Sequence, residues 1–281
     1  MLLASNLPPW NAHLDVWIVL SSVTVGYVAL LTRWAPVADP AHLRLVWPRL
    51  QQFSCLAAVL VLWAGADWPV HDVAEGSMYS MHMVQHLLFT QIAAPLLLIG
   101  TPGWFLVRVL HRVRAMPVAR SMTRFFPALL LHSFMVAVTH IPWFVDSSLK
   151  YGLFHFAAHV MLFVSALVVW LPILSTSRDL PRLNPLPRMM LIFLLGVMPT
   201  LPATWLAYAD DPVYSRYTGL PKLWGWSALD DQQMAALIMK TAAGAIGFLL
   251  IAVIFFRWAG NEERRSRFTG APAWQDRTET T

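Results

Sequence analysis

The strongest constraint on this chain is a series of seven apolar runs, at about 15–32, 50–66, 78–99, 125–145, 153–174, 188–208 and 233–256. Each is close to the roughly 20 residues that an α-helix needs to cross a bilayer. In hydrocarbon every backbone N–H and C=O must be satisfied internally, so such runs are predicted to be helices rather than strands. Composition agrees: 57% of the 281 residues are hydrophobic and only 12% are charged, whereas soluble domains carry about a quarter charged residues. The expected fold is all-α, a polytopic membrane protein with a single seven-helix transmembrane domain over residues 1–256. A polar tail over 257–281 follows, and its mixed charge predicts poor order.

The ends of the runs are punctuated by Gly100-Thr101-Pro102 after the third, Asp146-Ser147-Ser148 after the fourth, Pro172 at the fifth and Asp210-Asp211-Pro212 after the sixth. Ser227-Ala228-Leu229-Asp230 reads as a capping box that opens the seventh. Pro199 and Pro202 are expected to bend or break the sixth span, and Pro142 the fourth. The first residues lack the basic start and cleavage site of a secretory signal peptide, so the first run reads as a retained span.

Loop charge sets the expected orientation. Sixteen arginines fall on one side: Arg33, Arg44 and Arg49; Arg108, Arg112, Arg114, Arg120 and Arg124; Arg178, Arg182 and Arg188; Arg257, Arg264, Arg265, Arg267 and Arg277. The other side has Lys150, Arg216 and Lys222. The positive-inside rule then places the N-terminus outside and the C-terminus in the cytoplasm. It also accounts for the net charge of +5 without a nucleic-acid partner; no stretch alternates basic and aromatic residues as a single-strand binder does. Cys55 is the single cysteine, which excludes a disulfide framework and a CxxC motif.

Ionisable side chains are costly in hydrocarbon and are normally turned toward protein or a cavity. His82 and His86 stand at i and i+4 within the third run, and His155 and His159 repeat the spacing in the fifth. Each pair therefore shares one helix face, about one turn apart. At 1.5 Å per residue, His82 and His86 lie roughly 6 and 12 Å below the outer end of their span. His140 in the fourth run falls at a similar depth, as do His155 and His159, so five of the ten histidines are expected to converge in the outer leaflet. Met78 lies one turn before His82 on the same stripe. Imidazole with thioether suits copper, Cu(I) above all. The alternative for the histidines is interhelical hydrogen bonding that pins the bundle, and for Met78 plain core packing.

Accessory candidates are weaker. His132 lies about 12 Å deeper than His140 near the same face, placed either to extend the site inward or to bond a neighbouring helix. Lys240, two turns into the last span, either pairs with a carboxylate, faces a cavity or snorkels. Asp230, Asp231 and Gln232 open that helix, where the dipole alone favours acids. His71 is expected in an exposed outer loop, where it either captures a metal or has no role, and His13, His42 and His111 are given no role.

Several segments together resemble the polytopic CtaG-type assembly factors of cytochrome c oxidase in bacterial plasma membranes. They are MHMVQHLLFTQIAAPLLLIGTP, similar to the family's His-Met-x-x-His span with its Gly-x-Pro turn; THIPWFVDSSL; HFAAHVMLFVSALVVWLP, similar to its paired-histidine span; ADDPVYSRY; and DDQQMAALIM. The resemblance covers about Met78 to Met239. It implies a role in maturing a terminal oxidase at its copper centres, with His82, His86, His140, His155 and His159 carried over and Asp231 and Gln232 alongside. Two positions depart from the pattern: Ala158 stands where an acid often precedes the second histidine, and Lys240 follows Met239 where tryptophan is common.

The expected function is thus a multi-pass plasma-membrane protein, in contact with the lipid bilayer, that holds copper and hands it to an oxidase subunit. The residues set no oligomeric state. One rival is a b-type haem electron carrier, against which the crowding of two imidazoles onto one stretch of helix argues. Another is a copper permease, which needs a path through the inner half, where only His132 and Lys240 mark anything polar. No HExxH and no Ser, His and acid set at one depth points to an enzyme.

Overall fold

A computed structural model describes residues 7–35, 47–175 and 177–269, with side chains to residue 265. Arg44, Arg277, His42, the Arg267 side chain and residues 270–281 of the expected tail lie outside the described set. Within it every regular element is helical. The first span is α1 (Leu14–Trp34) and the second α2 (Arg49–Ala66). A short α3 (Val70–Gly76) leads into a three-part third span: α4 (Tyr79–Leu87), a π-helical segment (Leu88–Ala93) and α5 (Ala94–Gly100). Then come α6 (Gly103–Arg112), α7 (Met116–Met122), α8 (Phe125–Thr139) and α9 (Pro142–Ser148). The remainder is α10 (Gly152–Leu174), α11 (Pro185–Val197), α12 (Thr200–Ala207), α13 (Ser215–Thr218) and α14 (Ala228–Thr269).

Six of these helical runs are long and apolar enough to cross a membrane, and a seventh is completed if α7 and α8, bent by 92°, form one span. The chain is a multi-pass membrane protein. The fourth span is the one that differs from expectation. Pro142 cannot donate to the helix and forces Ile141 to an extended ψ of 131°, so α8 stops at Thr139 after 15 residues. That is about 22 Å of helix, short of a hydrocarbon core of roughly 30 Å. The sixth span breaks at Pro199 as expected, between α11 and α12. The last helix runs past Phe256 to Thr269, so the first part of the expected tail is helical. From Asn261 to Thr269 the sequence has neither glycine nor proline, and a helix already nucleated in the span propagates at little cost.

The third span lies at the centre. α4 packs on α14 and α3, α5 on α2 and α10, and α10 on α8. The approach to α2 is close: a Cβ at Gly100 would sit 2.5 Å from the Cys55 nitrogen, and one at Gly65 would sit 2.6 Å from the Phe89 ring. At Gly100 the obstacle is backbone, so only glycine fits, whereas at Gly65 a larger residue would have to displace the Phe89 ring. α1 is peripheral, with Leu31 its one buried residue and Ile18, Val23 and Val25 facing outward as lipid-contacting side chains do.

Candidate metal centre

The helix that carries His82 and His86 starts in the middle of the protein, where its first N–H groups need partners. Its N-cap, Met78, has an extended backbone and offers no side-chain bond. The cap comes instead from another helix. Asp231, fully buried in the first turn of α14, accepts hydrogen bonds from Tyr79 N at 2.7 Å and Ser80 N at 2.9 Å. Lys222 Nζ lies 3.3 Å from the same carboxylate and donates to Ser77 O at 2.6 Å. Burial pulls the Lys222 ammonium below the usual lysine range, and the neighbouring Asp231 carboxylate offsets part of that. Asp230 makes the expected capping box: its N–H donates to Ser227 Oγ at 3.1 Å, and its carboxylate accepts from Ser227 N at 3.0 Å.

Segment 209–227 closes this end. Tyr217 OH donates to Ala74 O at 2.8 Å, and Tyr214 OH to His140 O at 3.0 Å. Gln232 pins the segment by accepting from Val213 N at 2.7 Å and donating to Leu206 O at 3.0 Å. Asp231 and Gln232 thus act as clamps that set where α4 and its histidines sit.

The two i, i+4 pairs face each other across α4 and α10. One ligand atom each from His82, His155 and His159 lies within 4.8 Å of the others. Ring centroids are 5.6 Å apart for His82 and His155, 5.5 Å for His82 and His159, and 4.4 Å for His155 and His159. His86 joins them at 4.3 Å from His82 and 5.0 Å from His159. Together with Phe144 and Ser148 they line a cavity of about 20 Å³, room for one water-sized or ion-sized occupant.

The hydrogen-bond accounting does not close with protein groups alone. His155 Nε2 lies 2.7 Å from His159 Nε2 and 2.8 Å from Glu75 Oε1. A neutral imidazole nitrogen is either donor or acceptor, so one hydrogen must serve two acceptors there, or a lone pair must face a carboxylate. The Nδ1 atoms of His82, His155 and His159 are buried and meet no partner. Each such atom costs about 1–3 kcal/mol. A cation bound through one nitrogen of each ring would ease this shortfall, and three imidazoles suit copper or zinc.

The remaining predicted residues are dispersed. His140 caps the end of α8, its Nδ1 2.6 Å from Val136 O, while its buried Nε2 has no partner. It faces a separate cavity of about 50 Å³ with His86, His132, Met83 and Met239, and His86 and Thr139 border both chambers. His132 Nδ1 bonds Ser165 Oγ at 2.9 Å, joining α8 to α10. Met78 is not on the histidine stripe: an extended N-cap residue does not follow helical spacing, and its side chain packs with Val73 and Leu223. Lys240 is exposed and donates to Thr200 Oγ1 beside the break in the sixth span.

Glu75 is not among the expected site residues, and His71 is expected in an outer loop. Both lie on α3, a short helix rather than an open loop, and their i, i+4 spacing in VHDVAEG repeats that of the two histidine pairs. The π-helical segment directly after His86 and Leu87 has no comparable sequence signal. Thr90 Oγ1 donates to His86 O at 2.8 Å, and Trp170 Nε1 to Thr90 O at 2.8 Å, so the wider turn is tied to α10. Such turns recur at functional sites.

No curated protein and no solved structure matches the chain. Residues 25–261 match a family model described as cytochrome c oxidase caa3 assembly factor. The buried histidines of α4 and α10 lie inside that match, and by its extent the chain belongs to this family of cytochrome c oxidase assembly factors.

Proposed function

We propose that the protein holds a copper ion, as Cu(I), between His82, His155 and His159, with His86 alongside, and passes it to a subunit of a terminal oxidase during assembly. The observation that carries this reading is the approach of one ring nitrogen each from His82, His155 and His159 to within 4.8 Å of one another, beside a cavity of ionic size. Copper is cargo here. Three neutral imidazoles bind it without burying a compensating carboxylate, and acidification releases it as protons compete for the ring nitrogens. The arginine-rich loops favour a cytoplasmic position for the opposite end, and on this reading the site lies toward the outer side of a bacterial plasma membrane. The haem-carrier alternative has nothing to favour it: rings 4.3–5.6 Å apart leave no gap for a macrocycle.

The test is metal analysis of purified protein together with the oxidase spectrum of a deletion strain complemented by variants. The proposal expects bound copper in the wild type, its loss in His155→Ala with His159→Ala, and failure of that double variant to restore the oxidase. Full restoration by the double variant would remove the proposal.

A further inference from the structure

From the buried histidines a line of polar groups leads to the face of the bundle. Glu75 Oε1 lies 2.8 Å from His155 Nε2 and 3.4 Å from His71 Nε2, so one carboxylate oxygen has an imidazole on each side. The His71 ring meets the His13 ring edge-on at 4.9 Å, and His13 Nε2 lies 2.8 Å from Asp72 Oδ2. Glu75, between the two rings, is the most exposed of these side chains at 36%, against 8% for His155, 21% for His71 and 15% for His13. The groups come from three places in the chain: the N-cap of α1, α3, and the first turn of α10. Gln85 orients His71, its Nε2 lying 3.3 Å from His71 Nδ1 while donating to Gly65 O at 2.7 Å, which leaves His71 Nε2 turned to Glu75.

A single ion pair between α3 and α10 would need one imidazole. Here a carboxylate bridges a buried ring and a partly buried one, and a second histidine meets the latter edge-on. We propose that His13, His71 and Glu75 form a loading port, a transient station of mixed imidazole and carboxylate donors that takes a copper ion at the surface and delivers it to His155. The proposal rests on the copper reading of the buried site. Mixed nitrogen and oxygen donors hold Cu(I) less firmly than three imidazoles, so transfer runs inward. Transfer is ligand exchange: the bond to His71 nitrogen breaks as the bond to His155 nitrogen forms, Glu75 holds the ion between, and the oxidation state does not change.

The experiment uses the purified full chain with Cu(I) presented by a colour-forming chelator, and follows both the rate of copper transfer and the copper held at equilibrium. For His71→Gln the expected result is unchanged equilibrium copper with loading slowed about ten-fold, a modest rise in barrier; His13→Gln slows it less. Unchanged loading in His71→Gln overturns the port and leaves the buried site standing. Loss of equilibrium copper in His71→Gln also overturns it, because His71 would then be a ligand of the buried ion. A wild type that takes up no copper overturns the buried site and the port with it. Helical circular dichroism accompanies each variant. If His71→Gln does not fold, Glu75→Gln takes its place, with slowed loading expected and an unchanged rate overturning the port.

Discussion

The two ends of the bundle are held together by different means. Near the arginine-rich loops, Ala128, Val169, Trp170, Ile173, Leu191 and Leu195 form an apolar core. At the opposite end, the helices meet through a buried Asp231–Lys222 pair, a Tyr79–Tyr214 contact and a group of histidines, several with unpartnered nitrogens. Native proteins leave few buried polar groups unsatisfied, and those few mark functional sites more often than chance. The contrast teaches that one end supplies stability while the other leaves buried ring nitrogens without partners.

That contrast predicts which variants change binding and which change stability. The largest effect on copper is expected for His155→Ala with His159→Ala. Loss of affinity should exceed the roughly 10–100-fold that removing an outer-shell partner of a metal site costs, while the metal-free chain unfolds no more readily than wild type. Competition against a Cu(I) chelator and a thermal melt check the two halves; a large fall in metal-free stability would show that the histidines serve packing.

The converse variant is Leu191→Ala, at a fully buried position of the apolar end. It should lower stability by about 2–5 kcal/mol and leave copper per folded chain unchanged, as read by denaturant titration beside metal analysis. Asp231→Ala falls between. It removes the cap of α4, worth about 1 kcal/mol, leaves Lys222 without its partner, and loosens the turn that positions His82. Stability and copper affinity should therefore both fall, the second by a few-fold. The smallest effect belongs to Lys240→Met: the lysine is exposed and bonds only Thr200, so binding and melting temperature should match the wild type.

Much of this architecture was legible in the residues. Apolar runs of span length, the Gly100-Thr101-Pro102 stop, the Ser227–Asp230 capping box and the proline break at Pro199 each rest on short-range chemistry, and each reappears in the helices. The pairing of His82 and His86 with His155 and His159 was legible because i, i+4 spacing fixes a face and loop charge fixes a depth. What was hidden depends on contacts between distant segments. Met78 leaves the stripe because Asp231, 153 positions later in the chain, starts α4 at Tyr79. His140 turns to a second chamber because Pro142 ends α8 early. The place of Glu75 beside His155 was hidden because α3 is too short to show as an apolar run, although its spacing to His71 carried the signal. The π-helical turn after Leu87 reflects packing against α2 and α10, which no local pattern records.

The measurement that tests the central claim most directly is X-ray absorption spectroscopy at the copper edge on the loaded protein, with the His155→Ala, His159→Ala double variant beside it. The predicted result is a nearest shell of imidazole nitrogens without sulfur scattering, absent from the double variant. Copper retained equally by the double variant, or a shell containing methionine sulfur, would contradict a site built from His82, His155 and His159.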